Sequence, residues 1–198
     1  MRDLNEALFL LLNASDHPSA ILFALAKLFA DYVIWLVPMA LVAAWLRGSD
    51  HTRKQMLEAT AAGLVGLLIA QVIGLLWNHP RPFAMGMGHQ MIPHAADPSF
   101  PSDHLTLLWG VSFSFILHGR SRFAGAMFAL LGLPMAWARI YLGIHFPLDM
   151  VGAASVAGLS AYLCFRGGRW FVEPLFRWAA AIHLRLFAPM IRRGWMRG

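Results

Sequence analysis

Residues 56–77 read MLEATAAGLVGLLIAQVIGLLW, and the chain then turns at once to Asn78-His79-Pro80-Arg81-Pro82. The first stretch decides the fold. It is 22 residues of nearly unbroken apolar sequence with Glu58 as its one charge, and about 20 such residues cross the hydrocarbon core of a bilayer as a helix. Ala61, Gly63 and Gly66 give it a small face on which another helix backbone can come close. The polar cluster that follows is costly in or beside a bilayer, so ionisable groups at that place point to function.

The same alternation of apolar segment and polar cluster runs outward in both directions. Asp3 to Asn13 reads as a short amphipathic helix, and Asn13-Ala14-Ser15-Asp16 as a break. Ser19 to Leu46 is the first span, with a possible kink at Pro38, and Arg47 to Lys54 is a basic loop before the span at 56–77. Asn78 to Phe100 is the longest loop. Pro101 to His118, Arg122 to Trp137 and Met150 to Phe165 are the third, fourth and fifth spans, the first two joined by a tight turn at Gly119-Arg120-Ser121-Arg122. Arg169 to Arg193, mixed apolar and basic with Pro174 and Pro189, reads as an interfacial helix. The expectation is an all-α integral membrane helical bundle of about five transmembrane helices with short N-terminal and C-terminal interfacial helices. It forms a single domain over 1–198, with 1–17 as the amphipathic N-terminal segment and 168–198 as a basic tail.

Composition agrees. Of 198 residues 59% are hydrophobic and 13% charged, and the mean hydropathy is +0.58, where a soluble domain carries about 25% charged residues. The apolar runs are continuous, which argues against a β-barrel. The net charge of +6 is mostly arginine. In this setting it anchors loops to anionic lipid and implies no nucleic-acid partner. Cys164 is the single cysteine, so no intramolecular disulfide forms. The N-terminal segment carries acids and no signal-peptide pattern.

Arginine placement sets the orientation. Arg47, Arg53 and Lys54, then Arg120 and Arg122, then Arg166, Arg169, Arg177, Arg185, Arg192, Arg193 and Arg197 fall on one side of a five-span chain. The other side holds the Asn78 to Phe100 loop and the Arg139 to Asp149 segment, with Arg81 and Arg139 as its chief cations. The basic side is therefore expected in the cytoplasm, and three polar clusters meet on the outer face.

Those clusters suit phosphoryl chemistry. Arg81 and Arg139 carry permanent charge in a planar fork that binds phosphate oxygens in pairs. Pro101 is placed to start the third helix, which puts the Ser102 hydroxyl beside free N–H groups that favour an anion or a simple cap. His145 and Asp149 are four residues apart and share a helical face. The carboxylate can fix the imidazole tautomer and leave the other nitrogen free to attack phosphorus. His104 can protonate the leaving oxygen and then activate water.

The pattern Arg81-Pro82, Pro101-Ser102-x-His104 and Arg139-x5-His145-x3-Asp149 resembles the three signature motifs of the type 2 phosphatidic acid phosphatase superfamily. The stretches His79 to Phe83, His94 to His104 and Arg139 to His145, with the basic Ile191-Arg192-Arg193-Gly194-Trp195 tail, are similar to one subgroup, the bacitracin-resistance-type undecaprenyl-diphosphate phosphatases. The resemblance implies His145 as nucleophile, Asp149 as its orienting partner and His104 as acid and base. It implies Arg81, Ser102 and Arg139 as phosphate ligands, no cofactor, and a polyprenyl diphosphate lipid as substrate in a bacterial inner membrane. It leaves two rivals: a phosphatase for phosphatidylglycerophosphate, phosphatidate or lipid A, and a non-enzymatic lipid carrier, for which a nucleophile would be superfluous.

The chain departs from the superfamily pattern at Gly74, where lysine is usual, at Asp103, where glycine is usual, and at Ala138, where serine is usual. The subgroup shares the first two changes. His79 and Lys27 are candidates for the missing cation, although Lys27 and Asp31 are spaced as an i,i+4 ion pair. Asp103 is a further candidate site residue. The histidines show no tight metal-ligand spacing, so no metal is expected in the protein, though Asp97 or Asp103 could touch a cation that arrives with a diphosphate.

Overall fold

The structure, a computed structural model, describes residues 2–194 and 197. The described residues are helices and loops: α1 Arg2–Leu12, α2 Ala20–Lys27, α3 Leu36–Arg47, α4 Asp50–Leu76, α5 Asp103–Leu117, α6 Arg122–Tyr141, α7 Pro147–Leu186 and α8 Ala188–Arg192. Among the described residues, four segments are long and apolar enough to cross a membrane, Ala20–Arg47, Asp50–Leu76, Arg122–Tyr141 and Pro147–Leu186.

The third expected span, α5, has only 15 residues, about 22 Å of helix. It is the centre of the bundle. Leu105, Leu108, Trp109, Val111 and Phe115 are buried, and α4, α6 and α7 all pack against it. The small residues of α4 allow this: a Cβ at Gly110 of α5 would lie 3.2 Å from the Cα of Gly63. Pro101 does not start α5. Ser102 stands at the N-cap, Asp103 is the first helical residue, and the Ser102 side chain makes no capping bond.

The first span is not one regular helix. Between α2 and α3 the chain makes a wide π turn over Leu28–Tyr32 and a tight 3₁₀ turn over Val33–Trp35. Pro38 lacks the N–H that would bond back to residue 34, and the irregular turns lie immediately before it. The π turn also takes Lys27 and Asp31 out of the expected register: among the described residues there is no Lys27–Asp31 ion pair, and Lys27 is exposed.

Two expectations at the opposite end change. The basic loop shrinks to Gly48 and Ser49, because Ser49 caps α4 by accepting from the Thr52 N–H at 3.4 Å. Arg53 then falls inside α4, 1% exposed, donating to the Trp45 carbonyl at 3.0 Å and the Arg197 carbonyl at 2.7 Å. The fifth span also does not stop near Phe165. It continues as the 40 residues of α7, about 60 Å, so the first part of the expected interfacial tail is an extension of a span. Lys54 of α4 holds that extension through Glu173 at 2.7 Å. The short α8 follows, and Trp195 of the expected tail lies outside the described residues.

The C-terminal ends of α4 and α6 and the N-terminal ends of α5 and α7 meet at one end of the bundle. The 78–102 loop and α1 cover that end, with Phe9 fully buried against Phe146 at a ring separation of 5.2 Å.

Candidate active site

His145 sits in the short link between α6 and α7, and Asp149 in the first turn of α7. The turn that α7 begins brings them together: His145 Nδ1 lies 3.0 Å from Asp149 Oδ2, both side chains 2% exposed. The same oxygen accepts the Phe146 N–H at 2.8 Å and the Ser99 hydroxyl. With three donors converging on it, Asp149 is held as an acceptor, and Nδ1 must carry the proton. The lone pair of His145 is then on Nε2, where Arg81 Nη1 approaches to 3.0 Å. Burial, followed by the charges of Arg139 and Arg81, holds the His145 pKa well below the usual imidazole value, so the ring is neutral at pH 7 and has a nucleophilic nitrogen.

Arg81 enters from the loop after α4 and is 4% exposed. Its Nε donates to Asp97 Oδ1 at 2.9 Å, its Nη1 to the Ile144 carbonyl at 2.9 Å and its Nη2 to the Pro98 carbonyl at 3.3 Å. Burial pushes the Asp97 carboxyl up, but the bond to Arg81 and its charge outweigh this and hold the pKa below the usual range. His94 is driven below its usual value, first by burial and then by Arg81 and Arg139, against a bond with the Ala95 carbonyl.

Arg139, in the last turn of α6, donates through Nη1 to the Ala30 carbonyl at 3.1 Å. That carbonyl lies in the π turn of the first span. Arg139 Nε and Ser102 Oγ are buried with no partner within the protein. A buried donor left unpaired costs about 1–3 kcal/mol, and anionic oxygens are natural acceptors for both. His104 lies within electrostatic reach of Arg139, His145, His94 and Arg81.

The structure thus brings Arg81, Ser102, His104, Arg139, His145 and Asp149 to one place. Lys27 is exposed at the end of α2. His79 packs edge-on against Trp77 at 5.3 Å and Phe146 at 5.6 Å, on the flank of the cluster. Asp103 accepts from Gln71 Nε2 at 3.0 Å and lines, with His104, Leu67 and Leu107, a groove of 470 Å³ beside the first span. Among the described residues no group of three or more His, Cys, Asp or Glu converges as a metal site. The sequence reading missed Ser99 and Asn5, and it had Asp97 as a contact for a substrate-borne cation where the structure pairs it with Arg81. Ser99 pairs with a residue 50 positions away, and nothing local to it signals that partner.

Comparisons with known proteins place the chain in a family and a fold. A model of the PAP2 superfamily matches residues 55–173. Undecaprenyl-diphosphatase BcrC of Bacillus subtilis (strain 168) is 35% identical over 163 residues, covering 82% of this chain and 83% of BcrC. The Escherichia coli (strain K12) protein YbjG is 34% identical over 201 residues, covering 100% of this chain and 99% of its own. The crystal structure of Aquifex aeolicus LpxE superposes with a TM-score of 0.63 at 23% identity, covering 82% of this chain and 95% of that one, which fixes the fold. With its matched span holding Arg81, Ser102, His104, Arg139, His145 and Asp149, the chain belongs to the PAP2 superfamily.

Proposed function

We propose that the protein hydrolyses undecaprenyl diphosphate to undecaprenyl phosphate and inorganic phosphate on the outer face of a bacterial inner membrane. It would thereby recycle a cell-wall lipid carrier and raise tolerance to bacitracin. The observation that carries the reading is the neutral His145, clamped through Nδ1 by Asp149 and presenting Nε2 to the buried Arg81, with the charge of the buried Arg139 nearby. Sequence relatives named as undecaprenyl-diphosphatases support the choice of lipid.

The terminal phosphate enters between Arg81, Arg139 and Ser102, and its oxygens take the Arg81 Nη1 hydrogen away from Nε2. Nε2 attacks phosphorus in line as the bond to the bridging oxygen breaks. His104, which takes up a proton once the anionic diphosphate is bound beside it, gives that proton to the bridging oxygen, and the lipid monophosphate leaves. A water then attacks the phosphohistidine, His104 accepts the water's proton, and the P–N bond breaks to release inorganic phosphate. The arginines neutralise the charge on the transferring group throughout.

The test is phosphate release from undecaprenyl diphosphate by purified protein, alongside His145→Ala. Wild type is expected to release phosphate and to trap acid-labile label from a terminally labelled substrate. The variant should do neither, and its rate should fall at least about 10³-fold, or about 4 kcal/mol. A His145→Ala protein with near-normal turnover would sink the assignment, and phosphate release from phosphatidate or lipid A but not from the diphosphate would move the substrate.

A further inference from the structure

We propose that α1 is a clamp on the catalytic loop, with Asn5 and Asn13 as positioning residues for phosphoryl transfer. This rests on the reading of His145 as nucleophile. Helix α1 lies outside residues 55–173, the stretch matched to the superfamily, so its contacts with the site are an addition to the shared core.

Three side chains on one face of α1 and its end make the clamp, at positions 5, 9 and 13. Asn5 is 9% exposed, and its Oδ1 accepts the Leu148 N–H at 3.0 Å. Leu148 is in the first turn of α7, where backbone N–H groups have no partner inside the helix. The residue at the N-cap is Phe146, whose ring offers no acceptor. Asn5 therefore supplies from another helix the cap that α7 lacks, and it does so between His145 and Asp149. Phe9 is buried on the Phe146 ring, one residue after the nucleophile. Asn13 donates through Nδ2 to the Tyr141 carbonyl at 3.0 Å and the His89 carbonyl at 3.1 Å, and its Oδ1 accepts the His89 N–H at 2.7 Å. It ties the end of α6, two residues past Arg139, to the loop that carries Arg81. Gly143 lies beneath this tie at φ +80°, where any side chain would run into the His89 carbonyl.

The opposite face of α1 presents Leu4, Leu8 and Leu11, 64%, 39% and 78% exposed. These are spaced i, i+4, i+7, an apolar stripe that fits the headgroup boundary of a bilayer. The helix is thus held between lipid on one side and the nucleophile's loop on the other.

If α1 only adds packing, its variants lose thermal stability and yield but keep kcat per folded molecule. If it positions His145, a small shift of the loop lowers kcat, because misplacement by about 1 Å costs up to about 10²-fold. The experiment measures kcat and KM, per mole of monodisperse protein, on whichever lipid phosphate the wild type cleaves. Asn5→Leu should lower kcat about tenfold or more with KM little changed, and Asn5→Asp, which keeps the acceptor oxygen, should restore most of it. Should Asn5→Leu fail to fold, Asn13→Ala carries the same expectation. Wild-type kcat in the variant, a change in KM alone, or equal impairment of Asn5→Asp would each overturn the clamp. His145→Ala in the same assay keeps the two readings apart: if it is inactive, a failure at Asn5 is a failure of the clamp only, and if it is active, both fall.

Discussion

At the residue scale, one carboxylate oxygen organises the site. Asp149 Oδ2 accepts from the Ser99 hydroxyl, His145 Nδ1 and the Phe146 N–H. Each donor removes one freedom of the carboxylate, and together they set the plane of the imidazole. Ser99 is fully buried, so its loss would leave an acceptor short of one bond in a dry place. A hydrogen bond to a charged group contributes about 1.5–3 kcal/mol, which corresponds to roughly a tenfold to hundredfold loss of rate. Ser99→Ala is expected to lower kcat in that range with KM close to wild type, and Ser99→Thr should recover activity. Steady-state kinetics on the three proteins decides this, and an unimpaired alanine variant would show that His145 and the Phe146 amide suffice. The pair His145 and Asp149 was legible in the sequence because four residues at a helix start bring two side chains close, although His145 lies in the link just before α7 and not on the helix itself. Arg81, Ser102 and Arg139 were legible because each begins or ends an apolar segment. Ser99, Asn5 and Asn13 were not, since their partners lie on other elements and no local pattern marks a polar residue that serves a distant helix.

At the element scale, glycines and prolines carried two meanings that the sequence alone did not separate. Pro174 belongs to the stretch that reads as a separate interfacial helix, yet α7 runs through it, as it does through Gly167 and Gly168. At Gly168 the reason is packing: a Cβ there would lie 2.8 Å from Glu58 Oε2, and Glu58 hydrogen-bonds His118 Nε2 at 2.9 Å, so a small residue lets this link between α4 and the end of α5 seat against α7. Pro174 removes one helical N–H at a point where α7 is partly exposed, and the helix continues. The length of α5 was legible and its burial was not, because a short apolar run gives no hint that it is the central helix. The close crossing of α4 and α5 makes a direct prediction. Valine at Gly110 would push its branched side chain into the backbone of Gly63, and overpacking of this kind costs about 1–3 kcal/mol. Gly110→Val should therefore lower the thermal unfolding midpoint in detergent. Gly119→Ala, where nothing lies within 4 Å of the added methyl, should leave it unchanged. Equal midpoints for the two variants would mean that the crossing can open at no cost.

At the scale of the whole molecule, the charges fall at two ends for two reasons. At the site end Arg81 and Arg139 are 4% and 3% exposed, so the cations that run against the positive-inside rule are enclosed in the cluster. At the opposite end Arg120, Arg166 and Arg169 begin a basic surface that α7, far longer than a bilayer's hydrocarbon core of about 30 Å, carries on past Arg177 and Arg185. In the orientation we propose, the positive-inside rule puts the basic end in the cytoplasm and the site end outside, where a lipid diphosphate in the outer leaflet would meet it. Cysteine labelling can read this out, but position matters. Gly88 has φ +63°, and a side chain there would meet Asn13 and Phe9, so a cysteine at that point would disturb the loop it is meant to report. Ala96 is exposed on the same loop, and Gly119 is exposed in the turn between α5 and α6. In a Cys164→Ala background, Ala96→Cys should react with an impermeant thiol reagent in intact cells stripped of any outer barrier. Gly119→Cys should react only after the membrane is opened. The reverse pattern would put the Arg81–His145 cluster in the cytoplasm, and the substrate would then have to be a lipid of the inner leaflet.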